Sequence, residues 1–248
     1  MKLEISLAAE TIAHLGPLRV TNALLASWVV TAGIVVFGLV FRRRLAAVPG
    51  TVQGMAESIV EWLVELMSAV TGSREKTERV FPLVASFFIF IVALNWFGLL
   101  PGVGPVGVYE QRQGVKVLVP LLRGGNADLN STLALAIIAV VATHFAGIRG
   151  RGIGKHLGKF LNVRSPIGFF IGILEAISEL ARVLSFSFRL FGNIFAGEVL
   201  LLIVTGLVPY LTPLPFIGLE LFVGFIQALV FSTLTLVFLE LASVHAEY

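Results

Sequence analysis

A chain of 248 residues could make one or two soluble domains. This one, however, is 57% hydrophobic and only 13% charged, with a mean hydropathy of +0.95, where an ordinary soluble domain has about 25% charged residues. The apolar residues come in long blocks, which excludes a water-facing globule and calls for a single membrane domain.

The first twenty residues carry Glu4, Glu10 and His14 among short apolar pieces, so they lack the continuous apolar core of a signal peptide and retention of the amino terminus is expected. A spanning helix needs roughly 20 mostly apolar residues, because the hydrocarbon core is about 30 Å thick and each helical residue rises about 1.5 Å. Residues 21–41 are the first such segment. Over residues 51–70 the pattern changes: Met55, Ile59, Leu63, Leu66 and Val70 recur at helical spacing against a ridge of Glu57, Glu61 and Glu65. That is an amphipathic helix, punctuated by Pro49 and Gly50 before it and Gly72 after it. Trp62 suits a position along the cytoplasmic membrane surface; a partner-binding helix in solution is the alternative. Residues 81–100 and 129–148 are the next spans, the latter with Asp128 placed to cap it. Residues 166–207 would run roughly 60 Å as one helix, so this segment must tilt steeply, bend or break, with Gly192 and Gly197 as bending points. Residues 216–242 complete the set. The expected fold is all-α and integral to the membrane, with about five transmembrane helices plus one amphipathic interfacial helix and no internal repeat.

Orientation follows from the basic residues of the short loops. Arg42, Arg43 and Arg44 close the first span, Arg74, Lys76 and Arg79 precede the second, and Arg149, Arg151, Lys155, Lys159 and Arg164 follow the third. With five crossings all three groups share one side, which the positive-inside rule makes cytoplasmic. The amino terminus is then outside and the carboxyl terminus inside, although Arg112, Lys116 and Arg123 in the external loop weaken the asymmetry. Lys and Arg grouped between hydrophobic blocks are topology determinants, so the net charge of +3 does not point to nucleic acid.

Charged side chains inside a span cost at least about 2.5–3.5 kcal/mol and usually face a polar pathway or a partner. They concentrate in the last two segments: Glu175, Glu179, Arg182, Arg189, Asn193 and Glu198 in the fourth, Glu220 and Gln227 in the fifth. The topology puts Glu175 nearer the cytoplasm, Arg189 in the middle, and Glu198 level with Glu220 near the exterior, a layout of two half-pathways that do not join. At about 100° per residue Glu175, Arg182 and Arg189 share a face, as do Glu220 and Gln227, while Glu198 falls roughly opposite Arg189. Arg189, which does not deprotonate in proteins, is therefore a fixed charge whose carboxylate must come from elsewhere. Glu175 and Glu179 near the cytoplasmic surface read as solvated or snorkelling groups, with Arg182 as a partner of one of them. A bundle in which buried charges merely pair remains open, and so does a transporter whose Arg189 binds an anionic substrate, though the lack of a repeat argues against the latter.

Other motifs fail. The run from Gly150 to Lys155 has the wrong glycine spacing for a phosphate loop, with His156 in place of Ser or Thr. It reads as a basic loop that can touch anionic lipid. Asn126, Asp128 and Asn130 lack a calcium ligand set. His14, His144, His156 and His245 show no metal spacing, and the absence of cysteine excludes disulfides, thiolate metal sites and cysteine nucleophiles. No cofactor is expected.

The stretch from Ser185 through Arg189 and Asn193 to Glu198, SFSFRLFGNIFAGE in one-letter code, closely resembles the signature of subunit a, the ion-channel stator subunit of rotary F-type ATP synthases. The likeness extends to NWFGLLP from Asn95 to Pro101, ADLN from Ala127 to Asn130, Leu174 with Glu175, and Gln227 with Ala228. It fades over the first twenty residues. The resemblance implies a bacterial cytoplasmic-membrane subunit whose last two segments form a long, tilted hairpin against a rotating ring of c subunits, each with an ion-binding carboxylate. Peripheral-stalk b-type subunits would be further partners, and ATP chemistry would take place on other chains. By the same resemblance Arg189 keeps arriving ring carboxylates deprotonated and separates two half-channels. Asn193, Gln227, Glu198 and Glu220 serve the external half, and Glu175 and Ser185 the cytoplasmic half. Family members often carry a histidine at one position of the external pair; here both are glutamate, which two poorly solvated carboxylates would accommodate by sharing a proton.

Overall fold

The computed structural model describes residues 9–16, 18–103, 106–112, 115–158, 166–208 and 211–244; Lys159, Arg164 and His245 lie outside them. The chain runs β1 (Thr11–Leu15), β2 (Leu18–Thr21), α1 (Asn22–Arg43), α2 (Thr51–Thr71), α3 (Arg74–Gly98), β3 (Gly107–Arg112), β4 (Val115–Pro120), α4 (Leu129–Arg151), α5 (Ile153–Gly158), α6 (Pro166–Leu207) and α7 (Pro213–Val244). Five of these helices are long and apolar enough to cross a membrane: Asn22–Arg43, Arg74–Gly98, Leu129–Gly150, Ile167–Leu207 and Pro213–Ala242. The expectation of about five spans in an all-helical membrane fold is met.

Helices α3, α4, α6 and α7 form the bundle. Its core is aromatic and small by turns: Phe87, Phe88 and Ile91 of α3 and Phe186 and Leu190 of α6 pack with Phe231 and Ala228 of α7, while α4 presents Leu135, Ala136 and Ala139. The alanines let α4 approach its neighbours closely, as spanning helices require where lipid and side chain are equally apolar. Helix α1 stands at the periphery, with Asn22, Ala23, Ala26 and Val30 as its buried residues; its exposed valines, leucines and phenylalanine suit lipid.

Capping follows the sequence. Thr21 accepts from the Leu24 N–H at 3.2 Å, Asp128 accepts from the Asn130 N–H at 3.1 Å, as expected of it, and Gly72 closes α2 at φ 68°, a left-handed value that favours glycine.

Helix α2 packs against α3 and α7, but not through the whole predicted stripe. Its buried residues are Leu63, Val64, Met67 and Thr71, and Trp62 stacks on Phe225 at 6.2 Å and tilts against Phe88 at 6.3 Å. Met55, Ile59 and Val70 are exposed. The C-terminal half alone fills the groove between α3 and α7, which rotates the buried face by one residue from the predicted one. The glutamate ridge is exposed, as predicted, and Glu61 pairs with Arg74 at 2.9 Å across the turn.

Helix α6 is not broken. It is continuous over 42 residues, about 63 Å, and can traverse a core of roughly 30 Å only when steeply inclined. Among the described residues nothing lies within 4 Å of where a Cβ at Gly192 would stand, whereas Gly197 is a point of close approach to Glu220 of α7.

The sequence reading contained neither β-hairpin. β1 pairs with β2 through a turn at Gly16, where φ is 61°, and β3 pairs with β4 in register from Gly107 opposite Pro120 to Arg112 opposite Val115. The Asn22 side chain accepts from the Glu10 N–H at 3.2 Å and donates to the Pro120 carbonyl at 3.3 Å, so both hairpins gather at one end of the bundle. At the far end lie the α2–α3 turn and a Lys76–Glu240 pair at 3.3 Å.

Candidate functional site

The orientation of α6 sets the site. Its inward face is held by Phe186 against Phe231 and Phe238, at 5.1 and 5.7 Å between ring centroids, by fully buried Leu190, and by the Ser187 hydroxyl, 3.1 Å from that of Thr132 on α4. Arg189 is thereby turned outward and is exposed on the lateral face of the chain, among apolar neighbours such as Leu184 and Phe188 that are themselves exposed. Its Nη2 donates to Ser185 Oγ at 3.3 Å, one turn away. Among the described residues no carboxylate stands within ion-pair distance of it. The sequence-based expectation that Arg189 does not pair with Glu198 holds in the geometry.

Toward the hairpin end, α6 and α7 meet through polar groups. Asn193 Nδ2 donates to Gln227 Oε1 at 2.7 Å, and Gln227 is buried. One turn before it on α7 the Gly224 carbonyl accepts from Asn95 of α3 at 2.9 Å, and Asn95 in turn accepts from Asn126 Nδ2 at 2.7 Å. Asn126 is fully buried, and its Oδ1 has no hydrogen-bond partner. Glu220, only 7% exposed, lays its carboxylate into the notch left by Gly197, where a Cβ would collide with it. Among the described residues neither hydrogen bond nor ion pair reaches that carboxylate.

Glu198 has a partner that sequence reasoning did not assign. Arg123, in the segment between β4 and α4, donates from Nε to both Glu198 oxygens at 3.0 and 3.1 Å and from Nη2 to Oε2 at 3.1 Å. Its guanidinium also lies 5.9 Å from the centre of the Phe195 ring. The Arg123 side chain is 9% exposed and that of Glu198 37%, so the pair seals one side of the hairpin end while keeping a wet edge. A carboxylate held this way has a cation as its direct neighbour. The only hint in the sequence was an arginine placed between apolar residues and Gly124, three positions before Asn126.

At the far end Glu175 is half-buried on α6. One turn on, Glu179 is not the solvated group expected: its side chain is 12% exposed, and Oε2 accepts from Arg182 Nη1 at 2.6 Å. The Arg182 guanidinium sits 4.1 Å over the Phe238 ring, a contact that offsets part of its desolvation. His144 of α4 brings Nε2 to 3.7 Å from the same Glu179 oxygen. Among the described residues no group of three metal-ligating side chains assembles.

Fold and site together define a class: a polytopic helical membrane protein that displays in Arg189 a cation with no ion pair among the described residues, midway along its longest apolar helix, with polar groups leading from its level toward each end. Residues 24–240 match the model of the ATP synthase A chain family. The chain is 34% identical over 227 residues, covering 91% of itself and 89% of its relative, to ATP synthase subunit a of Citrifermentans bemidjiense. It is 34% identical to ATP synthase subunit a of Campylobacter jejuni subsp. doylei over 85% of this chain and 84% of that one, and 35% identical to ATP synthase subunit a 3 of Pelobacter propionicus over 86% and 84%. The chain belongs to the ATP synthase A chain family.

Proposed function

We propose that this chain is the ion-translocating stator subunit of a rotary ATP synthase, a single membrane domain that offers two offset half-channels to protons carried by a rotating ring of c subunits. The observation that carries the reading is Arg189: a permanent cation, exposed on the outward face of α6, whose carboxylate partner is absent from the described residues of its own chain.

The hairpin end is the outer side, and the basic loops lie in a bacterial cytoplasm, with the amino terminus outside and the carboxyl terminus inside. A proton enters from the hairpin end past Glu198 and Glu220, and Asn193 and Gln227 carry its path to the level of Arg189. There it neutralises a ring carboxylate, which can then turn into lipid. A carboxylate returning from the other side meets Arg189 and gives up its proton toward Ser185 and Glu175 at the inner end. Arg189 also blocks direct leakage between the two paths. That block matters because one charge crossing the membrane gains only about 2.3 kcal/mol per 100 mV, all of which is lost if ions pass without turning the ring. Nucleotide chemistry belongs to other subunits, and b-type subunits of a peripheral stalk hold this chain still against the ring.

Purification of the tagged chain from its own membranes tests the assignment. It should bring with it a small two-helix, ring-forming protein that carries a buried carboxylate. Recovery of the chain alone, together with solute uptake by vesicles containing nothing else, would make it a transporter instead.

A further inference from the structure

The far-end cluster of His144, Glu179, Arg182 and Phe238 joins three helices and has no part in the pathway described above. His144 comes from α4, Glu179 and Arg182 from α6, and the Phe238 ring under Arg182 from α7. A guanidinium and an imidazole converge on one carboxylate oxygen, the guanidinium at 2.6 Å and the imidazole nitrogen at 3.7 Å. The guanidinium is permanently charged. Imidazole is the one side chain that ordinarily changes charge between about pH 5 and 8. Its separation from Glu179 is half an ångström or so beyond ordinary hydrogen-bond length, a gap that a slight approach or a bridging water closes. The His144 side chain is 27% exposed and that of Glu179 12%, so the imidazole stands at the wet edge of a nearly buried carboxylate.

We propose that His144 is a proton-exchange station of the inner half-path, with Glu179 as its counter-ion and Arg182 as the residue that positions Glu179. This rests on the reading of Glu175 and Ser185 as the inner path. Glu179 lies one turn from Glu175 and ten residues before Arg189, about 15 Å along the helix. In the exchange, the Nε2 lone pair of neutral His144 takes a proton from water in the path, forming an N–H bond and an imidazolium whose charge faces Glu179. The bond then breaks with its electron pair left on nitrogen, and the proton passes to water at the inner surface. Among the described residues the charged groups facing the imidazole are Glu179 and Arg182 of α6, with Glu175 one turn beyond. On α7 the ionisable group at this end is Glu240, already paired with Lys76 of α3 at 3.3 Å.

The test uses inverted membrane vesicles bearing the assembled complex, whose bath sets the inner-side pH. ATP-driven proton uptake is divided by uncoupled ATP hydrolysis at each bath pH. His144→Asn should lower this ratio about tenfold or more, near or below the low end of acid–base contributions, and flatten its variation between about pH 5 and 8. Glu179→Gln should displace that variation along the pH axis, because the imidazolium loses its counter-ion. An unchanged ratio in His144→Asn, or a uniform loss that keeps the wild-type pH profile, overturns the proposal. If His144→Asn does not assemble, Glu179→Gln decides: a displaced profile supports the station and an unmoved one overturns it. Arg189→Ala run alongside separates the two readings. Pumping that survives it sinks the channel assignment itself, whereas a dead Arg189→Ala beside an unaffected His144→Asn removes only the station.

Discussion

Gly197→Ala places a methyl group where the Glu220 carboxylate now lies. Two responses are open to the protein. Pushing α6 and α7 apart would overpack this seam at a cost of about 1–3 kcal/mol. Swinging Glu220 away costs about 0.5–1.5 kcal/mol for an unfavourable rotamer, and the helix regains about 1 kcal/mol from replacing a mid-helix glycine with alanine. The carboxylate therefore moves and the helices stay. Stability should change by no more than about 1 kcal/mol while Glu220 leaves its station beside α6. If that station lies on the proton path, a displacement worth about 1.4 kcal/mol already slows transfer roughly tenfold. The assay is ATP-driven proton uptake in inverted vesicles, normalised to the amount of assembled complex. Gly197→Ala should assemble normally and pump at about a tenth of the wild-type rate or less. Adding Glu220→Asp, which is one methylene shorter, should recover part of it. Wild-type pumping by Gly197→Ala would refute the reasoning, as would failure of the variant to assemble.

Two other experiments probe the hairpin end. Thermal unfolding of Arg123→Ala, Glu198→Ala and the double variant should give a coupling of about 1–2 kcal/mol, below the 3–5 kcal/mol of fully buried pairs because Glu198 keeps a wet edge; additive losses would mean the contact contributes nothing. Gly125→Ala brings a Cβ to 2.5 Å from Leu94 Cδ2 and 2.8 Å from Ser27 Oγ, so the complex should lose about 1–3 kcal/mol of stability, visible as a lower melting temperature.

Much of the architecture was legible because the bilayer imposes it. Apolar runs of the required length located the spans, and the glycines at positions 50 and 72 marked the ends of α2. Helical spacing put Glu220 and Gln227 on one face and kept Arg189 from Glu198. What escaped depends on partners distant in the chain. The Arg123–Glu198 pair joins residues 75 positions apart, and the periodicity of α6 says nothing about which loop descends on it. In the sequence His144 is one of four scattered histidines, and only the packing of α4 on α6 brings it to Glu179. The two hairpins are short pairings with little alternation to betray them, and the buried face of α2 differs from the apolar stripe because lipid accepts the apolar side chains that water would force inward. Gly197 drew notice as a bending point, whereas its missing side chain serves Glu220.

Arg189→Ala, in membranes where the complex is shown to assemble, tests the central claim most directly. An artificial proton gradient should drive no ATP synthesis above the background seen with an uncoupler, because no fixed cation remains to discharge the ring carboxylate or to keep the two paths apart. Synthesis at the wild-type rate would contradict the account.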